Sequence, residues 1–304
     1  MIELSGVIKK YGAVTALKGV SFRVEKGQTV GLLGRNGAGK TTALNVITGY
    51  FPPTEGEVRV DGMSLAEHPR ECKRRIGYLP ERPPLYDEMT VTEYLAFVCE
   101  LREVAKSAQA RHIDEIIGLC GLTEHRHRLL GHLSRGYRQR AGIAQALCGS
   151  PDALILDEPT AGLDPKQTAE ARQLIHELGK DRTILFSSHI LSEVQQICTH
   201  AVILREGEVV RTLALDGAES AETRLRVTAR GDGKAVLAAL KDLGCVREGE
   251  VLGQRDGAAE LRLVCGPENA AERVAARLAA AGFPLRELRE ERDSLEEIFL
   301  RDTE

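Results

Sequence analysis

The sequence predicts an α/β protein with two domains, a large one on a mainly parallel sheet and a small α+β one. Short apolar runs at residues 153–156, 183–186 and 201–204 alternate with segments of helical periodicity. Such alternation is typical of the strand–helix–strand units of a parallel sheet. The runs are apolar throughout, as expected of strands covered on both faces. The pattern then breaks, which places the predicted domains at residues 1–216 and 220–304.

The N-terminal part of the large domain is predicted to be mostly strand. Alternating apolar and polar residues, or short apolar runs, indicate strands. In chain order these predicted strands cover residues 2–4, 20–24, 30–33, 57–60 and 76–79. The first two are expected to pair as antiparallel strands. Between the third and the fourth, residues 41–50 have the apolar spacing of a helix.

The middle of the large domain is predicted to be a helical subdomain, at about residues 87–150. Apolar residues recur there three or four positions apart, the spacing of one helix face. The predicted helices of this subdomain cover residues 92–101, 107–120 and 136–149. Two more helices, at residues 165–179 and 190–198, are expected between the later strands.

The small domain is predicted to follow a linker at residues 216–220. Its order is strand, helix, strand, strand, helix, strand and a final short helix, which suggests a ferredoxin-like module. The predicted segments cover residues 225–228, 234–243, 246–252, 260–264, 269–281, 285–290 and 294–300. No phosphate loop, acidic strand end or cysteine–histidine cluster occurs in this part of the sequence. We therefore expect it to carry no chemistry of its own.

Composition excludes several classes of protein. With 304 residues, 42% hydrophobic and 28% charged, the chain is neither collagen-like nor disordered. A net charge of −4 supplies no bulk positive field, so no nucleic-acid partner is expected. No apolar stretch is long enough for a transmembrane helix, and no signal peptide is expected. The seven cysteines are widely spaced, which predicts buried free thiols in a reducing compartment.

A glycine-rich loop lies between the predicted strand at 30–33 and the predicted helix at 41–50, and it fits the pattern G-x-x-x-x-G-K-[ST]. Such a loop turns backbone N–H groups toward phosphate oxygens, and the helix N-terminus adds positive potential. We expect Lys40 to reach the β- and γ-phosphates of a nucleotide and the Thr41 hydroxyl to bind Mg²⁺. The predicted nucleotide-binding residues here are Gly34, Arg35, Asn36, Gly37, Ala38, Gly39, Lys40, Thr41 and Thr42.

Two carboxylates, Asp157 and Glu158, follow directly after the apolar run at residues 153–156. An aspartate at such a strand end completes the Mg²⁺ shell in phosphate-loop ATPases. The glutamate beside it can orient and deprotonate the attacking water. An acidic pair alone is common, but the pair together with the phosphate loop predicts hydrolysis of a nucleoside triphosphate.

An octapeptide shortly before that strand identifies a family resemblance. It consists of Leu133, Ser134, Arg135, Gly136, Tyr137, Arg138, Gln139 and Arg140. The octapeptide resembles the signature motif L-S-G-G-Q of the ATP-binding cassette (ABC) family, from which Arg135 and Tyr137 depart. The resemblance covers about residues 1–215. The tail at 294–299 is similar to tails in the drug, polysaccharide and gliding-motility exporter branch.

The resemblance implies roles for further residues. Tyr11 is similar to the family's adenine-stacking aromatic, although a half-buried aromatic at a strand end is the alternative. Glu81 occupies the position of the Q-loop glutamine and could approach Mg²⁺ as a carboxylate. His189 is similar to the switch histidine that senses the γ-phosphate, although a lone histidine is more often structural. Residues 161–164 are similar to the D-loop.

The resemblance also implies a head-to-tail homodimer, with each ATP between the phosphate loop of one subunit and Ser134 and Gly136 of the other. The implied function is the ATPase subunit of a membrane exporter. The segment between Glu81 and Ser134 would dock a polytopic permease, which implies a cytoplasmic protein peripheral to the inner face of the cell membrane. The small domain is then expected to stabilise or regulate the dimer.

Two alternatives remain open at this point. One is a soluble ABC ATPase that acts on ribosomes or DNA, although such members usually carry a second cassette or long coiled-coil insertions. The other is a regulator that binds ATP without turnover or transport, against which the intact pair Asp157 and Glu158 argues.

Overall fold

The computed structural model describes residues 1–215, 223–266, 269–291 and Phe299. These residues divide into two compact units. Of the described residues, those up to residue 215 and Phe299 form the N-terminal unit, and residues 223–266 and 269–291 form the C-terminal unit.

The strands of the N-terminal unit form two sheets. In chain order they are β1 (Ile2–Tyr11), β2 (Val14–Val24), β3 (Thr29–Leu33), β4 (Glu55–Val60), β5 (Met63–Ser64), β6 (Ile76–Leu79), β7 (Ala153–Asp157), β8 (Thr183–Ser188), β9 (His200–Arg205) and β10 (Glu208–Ala214). The antiparallel sheet has the order β2-β1-β4-β5, and the six-stranded sheet has the order β10-β9-β3-β8-β7-β6. Only β9 and β10 pair antiparallel in the second sheet. The predicted mainly parallel sheet with N-terminal antiparallel strands is confirmed.

The helices of the N-terminal unit include the three of the predicted helical subdomain. In chain order they are α1 (Lys40–Ile47), α2 (Pro69–Arg74), α3 (Val91–Leu101), α4 (Lys106–Leu119), α5 (Arg135–Leu147), α6 (Pro165–Gly179) and α7 (Leu191–Ile197). Helix α3 begins at a capping box, in which Thr90 and Glu93 each accept the other's backbone N–H. The Tyr94 hydroxyl then donates to Gln145 Oε1 at 2.9 Å, which ties α3 to α5.

The register of the central strands sets where the site can form. Every residue of β3, β7 and β8 is buried, as the continuous apolar runs predict for strands covered on both faces. Leu33 at the end of β3 lies opposite Ser188, and Asp157 at the end of β7 lies opposite Ser187. The carboxyl ends of these three strands therefore meet at one edge of the sheet, where ligands bind in open α/β folds.

Some element boundaries differ from those predicted. Helix α1 ends at Ile47 rather than at residue 50, because Gly49 takes the left-handed conformation with φ +67°. Helix α5 ends at Leu147 for the same reason, since Gly149 has φ +84°. The sequence analysis missed α2, which buries only Cys72. It also missed β10, an edge strand without a fully buried residue.

The C-terminal unit is a second antiparallel sheet with two helices. Its elements in chain order are β11 (Thr223–Arg230), α8 (Gly233–Lys241), β12 (Val246–Arg255), β13 (Ala258–Cys265), α9 (Ala270–Ala280) and β14 (Leu285–Glu291). The strand order is β12-β13-β11-β14. Alternate residues of β11, among them Leu225 and Val227, pack with Val236 of α8 and Val274 of α9 in an aliphatic core.

The strand and helix order predicted for this tail is the observed one. The predicted linker at residues 216–220 lies outside the described residues. The predicted final helix at residues 294–300 also lies outside them, with the exception of Phe299. All seven cysteines are described, and they are buried free thiols as predicted.

Candidate active site

The predicted phosphate loop joins β3 to α1. Gly37 and Gly39 are left-handed, with φ +84° and +103°. A Cβ on Gly39 would lie 2.9 Å from the carbonyl oxygen of Ala16, so only glycine fits there. The Lys40 side chain is 7% exposed, and its Nζ donates to the carbonyl of Gly34 at 2.8 Å. The loop therefore curves around a buried ammonium group at the N-terminus of α1.

A cavity of about 480 Å³ opens over this loop, within the size range of small-molecule sites. Its lining includes Ala16 and Ala161 together with the predicted residues Arg35, Asn36, Gly37, Ala38, Gly39, Lys40, Thr41, Thr42, Glu81, Glu158 and His189. Apart from Ala16 of β2, these residues lie in the segments that follow β3, β6, β7 and β8, including the first turn of α1. In the six-stranded sheet these four strands are consecutive. The fold thus brings together residues that lie far apart in the sequence.

Asp157 is the last residue of β7 and is 1% exposed, and it is not among the residues that line the cavity. Its Oδ1 accepts a hydrogen bond from Ser187 Oγ at 2.6 Å, while Oδ2 is buried without a hydrogen-bond partner among the described residues. Burial raises the pKa of this carboxyl group, the hydrogen bond from Ser187 and the polar hydroxyl of Thr41 oppose the shift, and the charges of Glu158 and Glu81 add to it. An unpartnered carboxylate oxygen beside a threonine hydroxyl fits a hard divalent cation such as Mg²⁺.

Glu158 is held by contacts on both of its carboxylate oxygens. Its Oε1 lies 3.4 Å from Lys40 Nζ, and its Oε2 shares a hydrogen bond of 2.9 Å with Nδ1 of His189. The backbone of Glu158 is left-handed, with φ +47°, which is uncommon for a residue other than glycine. Its N–H donates to Ser187 Oγ at 2.9 Å. The strained backbone directs the carboxylate into the cavity, a conformation often found at functional sites.

The sequence analysis missed two side chains that position this site. Ser187 contacts both Asp157 and Glu158, and a polar residue at the end of an apolar strand was the available signal. Glu193 is 1% exposed, and its Oε2 accepts hydrogen bonds from Thr160 at 2.9 Å and from Ser188 at 2.8 Å. Glu193 therefore links the loop after Glu158 to the end of β8, where His189 follows.

Tyr11 lies at the end of β1 and is 41% exposed. It is not among the residues that line the cavity. Its ring meets Phe51 edge-on at 5.9 Å, and Lys9 Nζ lies 5.2 Å from the ring centroid. An exposed ring with one face supported by neighbours is suited to stacking on a base, and a structural role at a strand end fits these contacts equally well.

Ser134 and Gly136 do not join the phosphate loop within one chain. They line a different cavity of about 210 Å³, with residues of α5 and α6. Ser134 precedes α5 and is exposed, while a Cβ on Gly136 would lie 2.7 Å from the Gln167 side chain. Within one chain, Ser134 and Gly136 therefore belong to a cavity other than the one over the phosphate loop.

The helices of the described part of the chain include none that is long and apolar enough to cross a membrane.

Known proteins of one family resemble this chain. A family model described as ABC transporter matches residues 17–161. The bacitracin transport ATP-binding protein BcrA of Bacillus licheniformis is 39% identical over 218 residues, which is 71% of this chain and 70% of that protein. The ABC transporter ATP-binding protein NatA of Bacillus subtilis is 39% identical over 70% of this chain and 87% of its own length. The linearmycin resistance ATP-binding protein LnrL of Bacillus subtilis is 31% identical, over 82% of this chain and 81% of its own.

Solved structures show the same relationship. The structure of an ATP-binding subunit of an ABC transporter superposes with a TM-score of 0.65 at 32% identity, covering 71% of this chain and 90% of that one. The ATP-binding cassette MJ0796, in a dimeric post-hydrolysis state bound to ADP and Pi, gives a TM-score of 0.65 at 27% identity. It covers 71% of this chain and 100% of the MJ0796 chain.

Proposed function

The chain belongs to the ATP-binding proteins of ABC transporters and is an ABC transporter ATPase, and from that premise we propose that it powers a membrane exporter. The observation that carries the proposal is the convergence of Lys40, Glu158 and His189 on one cavity at the ends of neighbouring strands. Buried Asp157 lies directly behind Glu158, and Ser187 contacts both residues. The relatives BcrA and LnrL are named for bacitracin transport and linearmycin resistance, and they support export as the direction of transport.

The geometry supports the following division of labour in hydrolysis. The loop amides and Lys40 hold the β- and γ-phosphates of ATP, and a phosphate is a stronger partner for Lys40 than Glu158 is. Thr41 and Asp157, with Glu81 nearby, would hold Mg²⁺, which would offset phosphate charge. Glu158 orients the attacking water and takes its proton, because its carboxylate projects into the cavity.

His189 holds Glu158 through their 2.9 Å hydrogen bond and is the candidate sensor of the γ-phosphate. Because the imidazole is half exposed at the cavity, it can exchange Glu158 for a phosphate oxygen when ATP binds. Tyr11 stacks on the adenine base in this proposal, since stacking on an aromatic ring contributes roughly 1–3 kcal/mol.

We place each ATP between two subunits. The separation of the Ser134 cavity from the phosphate-loop cavity within one chain supports this placement, as does the dimeric state of the MJ0796 cassette. The first N–H groups of α5 are suited to a phosphate because a helix N-terminus is electropositive. In a head-to-tail homodimer, the phosphate loop of one subunit would then face Ser134 and Gly136 of the other.

A mixture of two inactivated variants tests this arrangement of shared ATP sites. A Lys40→Ala chain and a Ser134→Ala chain should each hydrolyse ATP weakly as homodimers. Their heterodimer contains one site with both residues intact, so its ATPase activity should exceed the mean of the parents. Heterodimers proven by mass spectrometry that never exceed this mean would contradict a site shared between subunits.

A groove beside the helical subdomain is the proposed dock for the permease. It is a cavity of about 720 Å³ between β6, which leads to Glu81, and α3. Five aromatic and four basic side chains line the groove, together with Glu103, which forms an ion pair with Arg74. The excess of basic over acidic side chains suits a helix with apolar and acidic side chains. The aromatic residues are Tyr50, Tyr78, Tyr86, Tyr94 and Phe97, and the basic residues are Arg70, Lys73, Arg74 and Arg102.

Copurification from membranes tests the dock and the exporter assignment. The full chain should be recovered with a polytopic membrane protein, which places it at the inner face of the cell membrane. Tyr86→Asp should weaken that recovery, since Tyr86 lines the groove and is 49% exposed. Val210→Asp is the matched control, because it alters an exposed apolar residue of β10, outside both the groove and the segment between Glu81 and Ser134. Recovery with ribosomes or DNA instead would contradict the exporter assignment.

We assign the C-terminal unit to a ferredoxin-like domain, with the domain boundaries at residues 1–216 and 220–304. The strand order β12-β13-β11-β14, with one helix after β11 and one after β13, supports this assignment. In this proposal the unit carries no chemistry and stabilises or regulates the dimer.

A further inference from the structure

The segment from Glu158 to Asp164, which we call the post-β7 loop, begins with a strained residue. Glu158 has φ +47°, and its carbonyl accepts the Ala161 N–H at 3.0 Å, which closes one tight turn. A left-handed conformation is strained for a residue other than glycine and persists only where its surroundings hold it. The direction of the Glu158 carboxylate therefore depends on what holds this turn.

Three side chains hold the post-β7 loop. At its start, Ser187 Oγ accepts the Glu158 N–H at 2.9 Å. The other two side chains contact the residues that follow. On one side, buried Glu193 accepts the Thr160 hydroxyl at 2.9 Å. On the other, Arg135 Nη2 donates to the Ala161 carbonyl at 2.9 Å, on the residue whose N–H closes the turn. The guanidinium also lies against Gly162, where a Cβ would come within 2.2 Å of it. Arg135 is thus packed on the loop as well as bonded to it.

Arg135 reaches the loop from the first turn of α5. It lies between Ser134 and Gly136, the residues placed above on the ATP of the other subunit. Gly136 touches the same region, because a Cβ there would meet the side chain of Gln167, whose N–H donates to Asp164 at 2.9 Å. The first turn of α5 therefore borders the post-β7 loop, which carries Glu158 of the same subunit. In the proposed dimer, the same turn faces the ATP bound to the phosphate loop of the other subunit.

We infer that Arg135 is a positioning residue that makes hydrolysis at one ATP site depend on nucleotide at the other. ATP on the first turn of α5 orders that turn, Arg135 then holds Ala161, and Glu158 of the same subunit is held in its strained conformation. The inference rests on the proposed shared sites. A glycine, which the signature motif has at this position, could not make this contact.

Heterodimers of full-length chains in which only one subunit keeps Glu158 test the inference. In chain X, Glu158→Gln removes hydrolysis at the site built on the phosphate loop of X. Chain Y keeps Glu158 and hydrolyses ATP at the site built on its own phosphate loop. Arg135→Met is placed either in Y, where it acts on the live Glu158, or in X, where it lies beside the ATP that Y hydrolyses.

We expect Arg135→Met in Y to lower kcat about tenfold with the KM for ATP unchanged, because only positioning of the base is lost. The same substitution in X should leave turnover unchanged. Arg135→Lys in Y should recover part of the loss, since lysine is still a donor. Arg111→Met in Y, which removes an exposed guanidinium from α4, is the matched control and should have no effect.

Other outcomes overturn the inference. A loss with Arg135→Met in X shows that the guanidinium contacts the nucleotide of the other subunit instead. Equal turnover for Arg135→Met and Arg111→Met in Y shows that the Ala161 contact has no role. A separate variant tests whether the ATP sites are shared at all. If they are shared, Ser134→Ala in X must lower ATP turnover by Y.

Discussion

The two units of this protein bury different kinds of side chain. In the N-terminal unit, charged and polar residues are buried at the carboxyl ends of central strands, among them Lys40, Asp157 and Glu193. Every buried polar or charged side chain in the described ranges belongs to that unit. In the C-terminal unit, as far as it is described, the buried cluster consists of aliphatic side chains and a cysteine. Within the described residues, buried polar side chains are therefore confined to the unit that contains the candidate active site.

This difference has an energetic cost. Asp157 Oδ2 and Glu193 Oε1 are buried without hydrogen-bond partners among the described residues, and such a group costs about 1–3 kcal/mol. Charged residues of the C-terminal sheet instead form exposed or half-exposed pairs, such as Arg226 with Glu260 at 2.5 Å and Arg262 with Glu250 at 3.2 Å. Pairs of this kind contribute about 0–1 kcal/mol. The N-terminal unit gives up stability for reactivity, whereas the C-terminal unit does not.

The largest expected effect follows from changing the buried acid pair. Glu158→Gln should lower ATP turnover by about 10²–10⁴ while MgATP still binds, because the amide cannot accept the proton of the attacking water. Turnover and nucleotide affinity would be measured on one preparation. Glu177→Gln, at an exposed glutamate paired with Lys180, is the control. Near-wild-type turnover in Glu158→Gln would remove that residue from the base role.

A core substitution in the C-terminal unit should lower the stability of that unit and leave ATP turnover unchanged. Leu261→Ala should lower the free energy of unfolding of that unit by about 2–5 kcal/mol, because Leu261 is fully buried. ATP turnover should not change. Cys265 is a built-in probe, since burial raises the pKa of its thiol to about 11 and alkylation at pH 8 requires the unit to open.

The matched control for this experiment is Leu252→Ala, because Leu252 is 37% exposed and belongs to the same sheet. Its effect on Cys265 alkylation should be small. If Leu261→Ala lowered ATP turnover as strongly as it accelerated alkylation, the two units would not divide stability and chemistry as described.

A smaller effect is expected from neutralising the buried metal-site carboxylate. Burial raises the pKa of Asp157 in the folded chain, so folding becomes less favourable as pH rises through that folded pKa. Asp157→Asn removes the buried ionisable carboxyl group and should therefore raise the free energy of unfolding of the nucleotide-free protein by about 1–3 kcal/mol. The same substitution should abolish ATP hydrolysis.

The pH dependence distinguishes this cause from a general packing effect. Thermal unfolding in the presence of a chelator should show a larger gain for Asp157→Asn at pH 8 than at the lowest pH where both proteins stay folded. A gain that is equal at both pH values, or a destabilised variant, would contradict the cost assigned to the buried charge.

The smallest effect is expected for ATP affinity when the C-terminal unit is removed. A chain of residues 1–216 should bind ATP as the full chain does, because every predicted nucleotide-binding residue precedes residue 216. Dimer formation or recovery with the permease should change instead. A folded chain of this length that failed to bind ATP would contradict the division between the units.

Local sequence signals were sufficient for the phosphate loop and for the central strands. The glycines, Lys40 and Thr41 lie within one short segment, and an apolar strand before it needs no distant partner to be recognised. Asp157 and Glu158 were found in the same way. Helix ends were less well predicted, since Gly49 and Gly149 end α1 and α5 through backbone conformations that apolar periodicity does not reveal.

Only the tertiary structure decided which side chains hold those residues in place. Arg135 and Ala161 are 26 positions apart, and Thr160 and Glu193 are 33 apart, on elements that meet only when the sheet is formed. A hydrogen bond between such residues has no sequence period. By itself, the sequence determined the chemistry available, because residue type and local spacing specify it. The strand order β3-β8-β7-β6 determined where that chemistry is assembled, because it places the loops after these strands side by side.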